Sequence, residues 1–133
     1  MKNLIQLIKQ ARFVFICGNG GSSATAEHLS NDLFSKGVKA ICLNSNTAIM
    51  TMLANDYGYR YVFSVQLLNY ANSEDLLITI SCSGNSPNIV NALEAGKVIG
   101  MKIYEFESFS KNRNYEKLEN KHMKLVHKIK KML

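Results

Sequence analysis

No apolar run in this 133-residue chain approaches the ~18 residues needed to cross a bilayer, so no membrane partner is expected. The N-terminal stretch MKNLIQLIKQARFVFIC is broken by Lys9, Gln10 and Arg12. No small-residue cleavage site follows it, which argues against a secretory leader. Cysteines are few: Cys17, Cys42 and Cys82 are odd in number and form no CxxC pair. Each lies in or at the end of an apolar run, the pattern of buried free thiols in a reducing compartment, and a cytoplasmic protein is expected. Repeats, low-complexity segments and linkers are also missing, so residues 1–133 read as one domain. Its length suffices for a single core, and 47% apolar with 20% charged residues is ordinary for a globular protein.

Acidic residues are scarce only at the C-terminal end. Residues 1–110 carry 8 basic and 8 acidic side chains, whereas residues 111–133 carry 8 and 2. The net charge of +6 therefore resides entirely in the last segment. Such a tail attracts nucleic acid or anionic membrane, or is simply the solvated face of a terminal helix. Interleaved aromatics are lacking, with only Tyr115 nearby, so nucleic-acid binding is not favoured.

Short apolar runs alternate with helical stretches, a pattern that predicts an α/β fold with a parallel sheet and crossover helices. Residues 1–11 form an amphipathic helix with Leu4, Leu7 and Ile8 on one face. Strands are predicted at 13–17, 38–43, 76–80 and 101–106. Between them lie helices at 22–35, with Ser22 or Ser23 as N-cap and an exit at Gly37, then at 46–54 and 61–70. A further helix runs from Pro87, the chain's one proline, to Ile99 and ends at Gly100. The last helix begins near Asn114.

Two strand-to-helix loops carry the chemistry. In Gly18-Asn19-Gly20-Gly21-Ser22-Ser23 the glycines permit a sharp turn that presents backbone N–H groups to an anion at a helix N-terminus. A dinucleotide-binding turn is disfavoured, because Ser23 stands where a third glycine belongs and Leu43-Asn44-Ser45 offers no carboxylate for a ribose. No Lys-Ser or Lys-Thr pair follows, so a nucleotide P-loop is also disfavoured and no nucleotide cofactor is expected. In Ser81-Cys82-Ser83-Gly84-Asn85-Ser86-Pro87, the hydroxyls of Ser81, Ser83 and Ser86 are placed to donate to a phosphate. A merely capped turn is the alternative, although three hydroxyls exceed what a cap requires. Both loops lie at the carboxyl ends of strands, the edge where parallel sheets bind ligands. His28 and Asp32 are four residues apart, hence on one helix face, where they suit metal chelation, acid–base work or a plain surface pair.

The blocks GNGGSSATAEHLSNDL, LANDYGYRYVFS and ITISCSGNSPNIVNAL closely resemble those of the SIS (sugar isomerase) domain family, in particular its phosphoheptose isomerases. The resemblance covers roughly residues 13–103. It implies a three-layer, flavodoxin-like sandwich around about four parallel strands, a sugar phosphate ligand, and a homo-oligomer (dimer or tetramer) with sites at subunit junctions. It also implies conversion of sedoheptulose 7-phosphate to D-glycero-D-manno-heptose 7-phosphate, a step in making surface-polysaccharide heptose. Substrate contacts carry over to Asn19, Gly20, Gly21, Ser22, Ser81, Cys82 (in place of the usual threonine), Ser83 and Ser86. Asn55 and Asp56 are expected at sugar hydroxyls; apart from the resemblance they read as a polar helix end before Gly58. Zinc is implied at His28, Asp32, Glu119 and His127, with Asp32 as base and His127 as acid, and Glu119 also near the substrate.

Departures from the pattern are expected to matter. Asp32 replaces a glutamate and retreats by roughly 1.5 Å. Glu119 replaces a glutamine, and eight helical residues separate it from His127, a span of ~12 Å. His122 is an alternative ligand, or part of a packed face with Leu118, Leu125 and Ile129. Only about ten residues precede the first strand, and the segment from Phe106 to Tyr115 is short. Together these leave open a non-catalytic module that binds a sugar phosphate or a protein partner.

Overall fold

A computed structural model describes residues 1–109 and 114–133. Its elements are α1 (Lys2–Gln10), β1 (Val14–Gly18), α2 (Gly21–Ser35), β2 (Ala40–Cys42), α3 (Thr47–Asp56), α4 (Ser64–Tyr70), β3 (Leu76–Ile80), α5 (Pro87–Ile99), β4 (Lys102–Glu105) and α6 (Tyr115–Met132). The four strands form one parallel sheet in the order β2-β1-β3-β4. Helices cover both faces because the central strands are apolar on both, every residue of β1 and β3 being buried. Strand alternation sorts the core into two halves. Val14, Ile16, Leu76, Ile78 and Ile80 pack with Leu4, Ile8, Leu29, Leu33, Val126 and Ile129 beneath α1, α2 and α6. On the other face Phe15, Cys17 and Leu77 pack with Leu53, Phe63, Leu67, Ile89 and Ala92 beneath α3, α4 and α5. Each fully buried Leu, Ile or Phe contributes about 1.5–3 kcal/mol.

The order of the sheet positions the site. From β1 the chain crosses by α2 to β2 on one side; from β3 it crosses by α5 to β4 on the other. The loops after β1 and β3 thus leave adjacent strands toward opposite faces, which opens a crevice at the carboxyl edge. The opposite edge is closed by Asp75, whose fully buried carboxylate accepts hydrogen bonds from Arg12 Nη2 (2.7 Å), Phe13 N (3.0 Å) and Asn72 N (2.8 Å). A buried charge satisfied in this way is structural.

Several boundaries differ from expectation. Gly20, not a serine, occupies the N-cap of α2 and no side chain caps the helix; Ser22 N and Ser23 N donate instead to the carbonyls of Asn19 and Gly20. The helix expected over 61–70 is a 3-10 turn, Tyr59–Tyr61, followed by α4. Strand β2 is shorter than 38–43; Leu43 N still donates to the Ile16 carbonyl at 2.8 Å, and past it the side chain of Asn44 bonds Gly18 of β1. The α5 boundaries coincide with the expectation, and Gly100 ends the helix at φ +86°. Among the described residues no strand lies between β4 and α6, and part of the short 106–115 segment, residues 110–113, lies outside them. No described helix is long and apolar enough to cross a membrane. Cys17, Cys42 and Cys82 are all buried and free.

Candidate active site

The loop after β1 is held from both sides. Gly18, the last residue of β1, accepts from Asn44 Nδ2 (2.8 Å) through its carbonyl, and its N–H donates to Asn44 Oδ1 (3.2 Å). A side chain at Gly18 has no room: a Cβ there would lie 2.6 Å from the Ser22 carbonyl oxygen and 2.9 Å from that of Ile80. The glycine is required by this close approach of strand, helix start and β3.

Asn19 joins the two loops. Its Nδ2 donates to Asn88 Oδ1 and its Oδ1 accepts from Asn88 Nδ2, both at 2.8 Å. Asn88 lies in the first turn of α5 and is 2% exposed. The Tyr59 hydroxyl reaches the same Asn19 Oδ1 at 3.3 Å, which brings the segment after α3 alongside. Asn44, Asn88 and Tyr59 escaped the sequence reading. The one available signal was the polar residue immediately after Pro87, where the first turn of a buried helix calls for an apolar one.

In the serine loop the three hydroxyls do not act alike. Ser81 Oγ accepts from Gly84 N at 3.0 Å, which stabilises the turn in which Gly84 adopts φ +71°. Ser83 and Ser86 face each other with Oγ atoms 3.4 Å apart, and Ser83 is exposed. These two hydroxyls lie at the start of α5, where no side chain caps the helix and the helix dipole favours negative charge.

Between the loops stands a second cluster. Glu119 on α6 lies against Gly21, so closely that a Cβ on Gly21 would fall 2.5 Å from Glu119 Oε1. Cys82, 5% exposed, has its thiol pushed above the ordinary range chiefly by burial; a hydrogen bond with Ser22 works against this and the nearby Glu119 charge adds to it. Gly21, Ser22, Cys82 and Glu119 therefore share one corner of the crevice. Asn55 and Asp56, hydrogen-bonded to each other at 3.0 Å, are exposed at the end of α3. They make no hydrogen bond to either loop among the described residues.

The residues expected to hold zinc are not gathered. Helices α2 and α6 pack side by side with Gly21 against Glu119, the His28 and His127 rings 5.3 Å apart between centroids, and Asp32 against Lys130. Glu119 is thus two turns from the histidines, as a rise of ~12 Å over eight residues requires. His28 and Asp32 lie about two and three turns below Gly21, away from the loop that opens the helix. Asp32 is 1% exposed. Its Oδ1 accepts from Lys130 Nζ at 2.5 Å, and its Oδ2 stands 3.4 Å from His28 Nε2 without a hydrogen-bond partner. Among the described residues no group of three or more His, Cys, Asp or Glu side chains could hold a metal ion. The arrangement does not fit zinc. His122 belongs to the packed face: it is 2% exposed, with Nε2 2.7 Å from the Glu107 carbonyl and its ring against Phe106.

A doubly covered parallel sheet with two Gly- and Ser-rich loops at its switch point defines an α/β domain with a candidate ligand crevice at the carboxyl edge of the sheet. The family model for the SIS domain matches residues 1–108, and the chain belongs to this family. A phosphoheptose isomerase of Helicobacter pylori (strain P12) is 44% identical over 105 residues, covering 74% of this chain and 55% of the relative. One from Leptospira biflexa is 40% identical over 110 residues, covering 77% and 56%. The solved structure of a phosphoheptose isomerase from Francisella tularensis superposes with a TM-score of 0.90 at 26% identity, covering 98% of this chain and 79% of that one. The chain spans about half the length of the curated relatives it matches.

Proposed function

We propose that this chain binds a seven-carbon sugar phosphate in the crevice and catalyses the aldose–ketose isomerisation of sedoheptulose 7-phosphate to D-glycero-D-manno-heptose 7-phosphate. The observation that carries this reading is the reciprocal Asn19–Asn88 amide pair, which holds both loops at one edge of the sheet. Ser83, Ser86 and the start of α5 grip the phosphate; Asn19, Gly20, Gly21 and Ser22 face the sugar. Cys82 and Glu119 close the corner between them, and Asn55 and Asp56 approach from the α3 side.

The reaction conserves all atoms. A base takes a proton from C1 of the ketose, giving an enediolate. An acid returns a proton to C2, while the hydroxyl proton moves from the C1 oxygen to the C2 oxygen. The proposal assigns Asp32 as base and His127 as acid. Asp32 lies eleven helical residues beyond Gly21, roughly 16 Å along α2, so one protomer does not bring it to the loops. A homo-oligomer is therefore part of the proposal, with the α2–α6 groove of one copy facing the crevice of another. The compartment proposed is the cytoplasm, where three free thiols stay reduced.

One observation favours a second reading, a module that binds sugar phosphate without turning it over: Asp32 is buried and already held by Lys130. Calorimetry with sedoheptulose 7-phosphate, a coupled turnover assay and the mass in solution separate the two. Binding with turnover by an oligomer supports the isomerase, binding alone supports the module, and no binding overturns both.

A further inference from the structure

Both loops at the carboxyl edge are built from uncharged residues: neither Gly18 to Ser23 nor Ser81 to Asn88 contains Asp, Glu, Lys, Arg or His. The crevice between them is nevertheless not neutral. Helix α6 brings the Glu119 carboxylate against Gly21, where a Cβ would lie 2.5 Å from Oε1, 2.9 Å from Cδ and 3.1 Å from Oε2. Glu119 is half-buried, and among the described residues no Lys, Arg or His side chain pairs with it. The Cys82 thiol of the serine loop, raised chiefly by burial, is raised further by this charge. At the first loop Ser22 N and Ser23 N already donate to the carbonyls of Asn19 and Gly20, so two of its backbone donors are spent as well. At the other end Ser83 and Ser86 present hydroxyls with Oγ atoms 3.4 Å apart. One end of the crevice therefore carries a fixed negative charge and the other carries donors. A half-buried, unpaired carboxylate accepts hydrogen bonds from hydroxyls and repels a second anion, and salt screens it less than it would an exposed charge.

We propose that Glu119 is a specificity-determining residue that divides the crevice by charge: the corner at Gly21 accepts the uncharged, hydroxyl-bearing end of a ligand and rejects a phosphate there, so that a sugar monophosphate binds with its phosphate at the serine loop and a sugar bisphosphate is excluded. The inference rests on the sugar phosphate reading of the crevice and adds to it a charge limit on the ligand, set by rejection of the wrong partner rather than by extra contacts to the right one.

Calorimetry on the full chain, as wild type and Glu119→Gln, with sedoheptulose 7-phosphate and sedoheptulose 1,7-bisphosphate, is the test. The second phosphate sits on C1, the end that faces Gly21 when the C7 phosphate is at the serine loop. The wild type is expected to bind the bisphosphate at least about tenfold more weakly than the monophosphate. In Glu119→Gln, which keeps the bulk and removes the charge, that ratio should fall at least about fivefold. Equal affinity of the wild type for the two ligands overturns the proposal and leaves the sugar phosphate reading standing. A Glu119→Gln protein that discriminates like the wild type also overturns it, since the preference is then one of size. Failure of the wild type to bind the monophosphate overturns the reading and the proposal together. Should Glu119→Gln fail to fold, salt decides on the wild type: a preference that shrinks between about 0.05 and 0.5 M salt supports rejection by charge, and one indifferent to salt overturns it.

Discussion

Replacing Asn88 with alanine removes both hydrogen bonds that join the two loops, each 2.8 Å long. A neutral amide hydrogen bond contributes about 1 kcal/mol net, so the pair accounts for about 2 kcal/mol. Asn19 is only half-buried and keeps the Tyr59 hydroxyl at 3.3 Å, so water and Tyr59 spare it the full penalty of an orphaned amide. For a chain of 133 residues the expected loss of Tm is about 8 °C. The same change lets Asn19 turn away from the crevice, and sugar phosphate affinity should fall about tenfold. Urea denaturation and calorimetry on Asn19→Ala, Asn88→Ala and the double variant form a cycle whose coupling should be about 1–2 kcal/mol. Additive single effects, or an Asn88→Ala protein that binds sugar phosphate like the wild type, would refute the reasoning that the pair assembles the site.

Gly18→Ala should be worse than its single methyl suggests. The new Cβ meets two backbone carbonyls, at 2.6 and 2.9 Å, and overpacking of this kind costs about 1–3 kcal/mol. Both Tm and sugar phosphate affinity should fall, and a variant with wild-type values would show that the close approach is not needed. Alkylation of Cys82 should require a higher pH than a free thiol, because burial raises its ionisation and Glu119 adds to this. Glu119→Gln should shift the profile downward and bound sugar phosphate should slow the reaction; an unchanged profile would sink this assignment of Glu119. Burial also raises the Cys17 thiol, with a smaller contribution from Cys42, and raises Cys42 itself. An unfolded thiol ionises near pH ~8.5. Above that value the folded chain holds more protons than the unfolded one, so stability is complete below it and declines as pH rises. Urea midpoints at pH 7 and 10 should show the decline, and Cys17→Ala should lessen it.

Local features were legible in the sequence wherever the cause was itself local. The apolar runs around Phe15 and Ile78 announced buried central strands because only a doubly covered sheet needs residues apolar on both faces. Pro87 and Gly100 bounded α5 because a fixed φ and a left-handed φ are properties of single residues. The glycines and serines of the two loops marked the ligand edge for the same reason. Their fold and family likeness follow from that pattern.

What the chain could not announce are pairings between residues distant along it. Asn44 reaches Gly18, Asn88 reaches Asn19, and Lys130 reaches Asp32, and nothing in the local spacing distinguishes these from polar surface residues. His28 and Asp32 looked like neighbours of the phosphate loop because they share its helix. Residue count already places them two and three turns down α2; only the packing of α6 along α2 set Asp32 beside a lysine rather than beside Glu119. Helical periodicity specifies which face a residue occupies; the partner across that face is decided by how helices dock on the sheet.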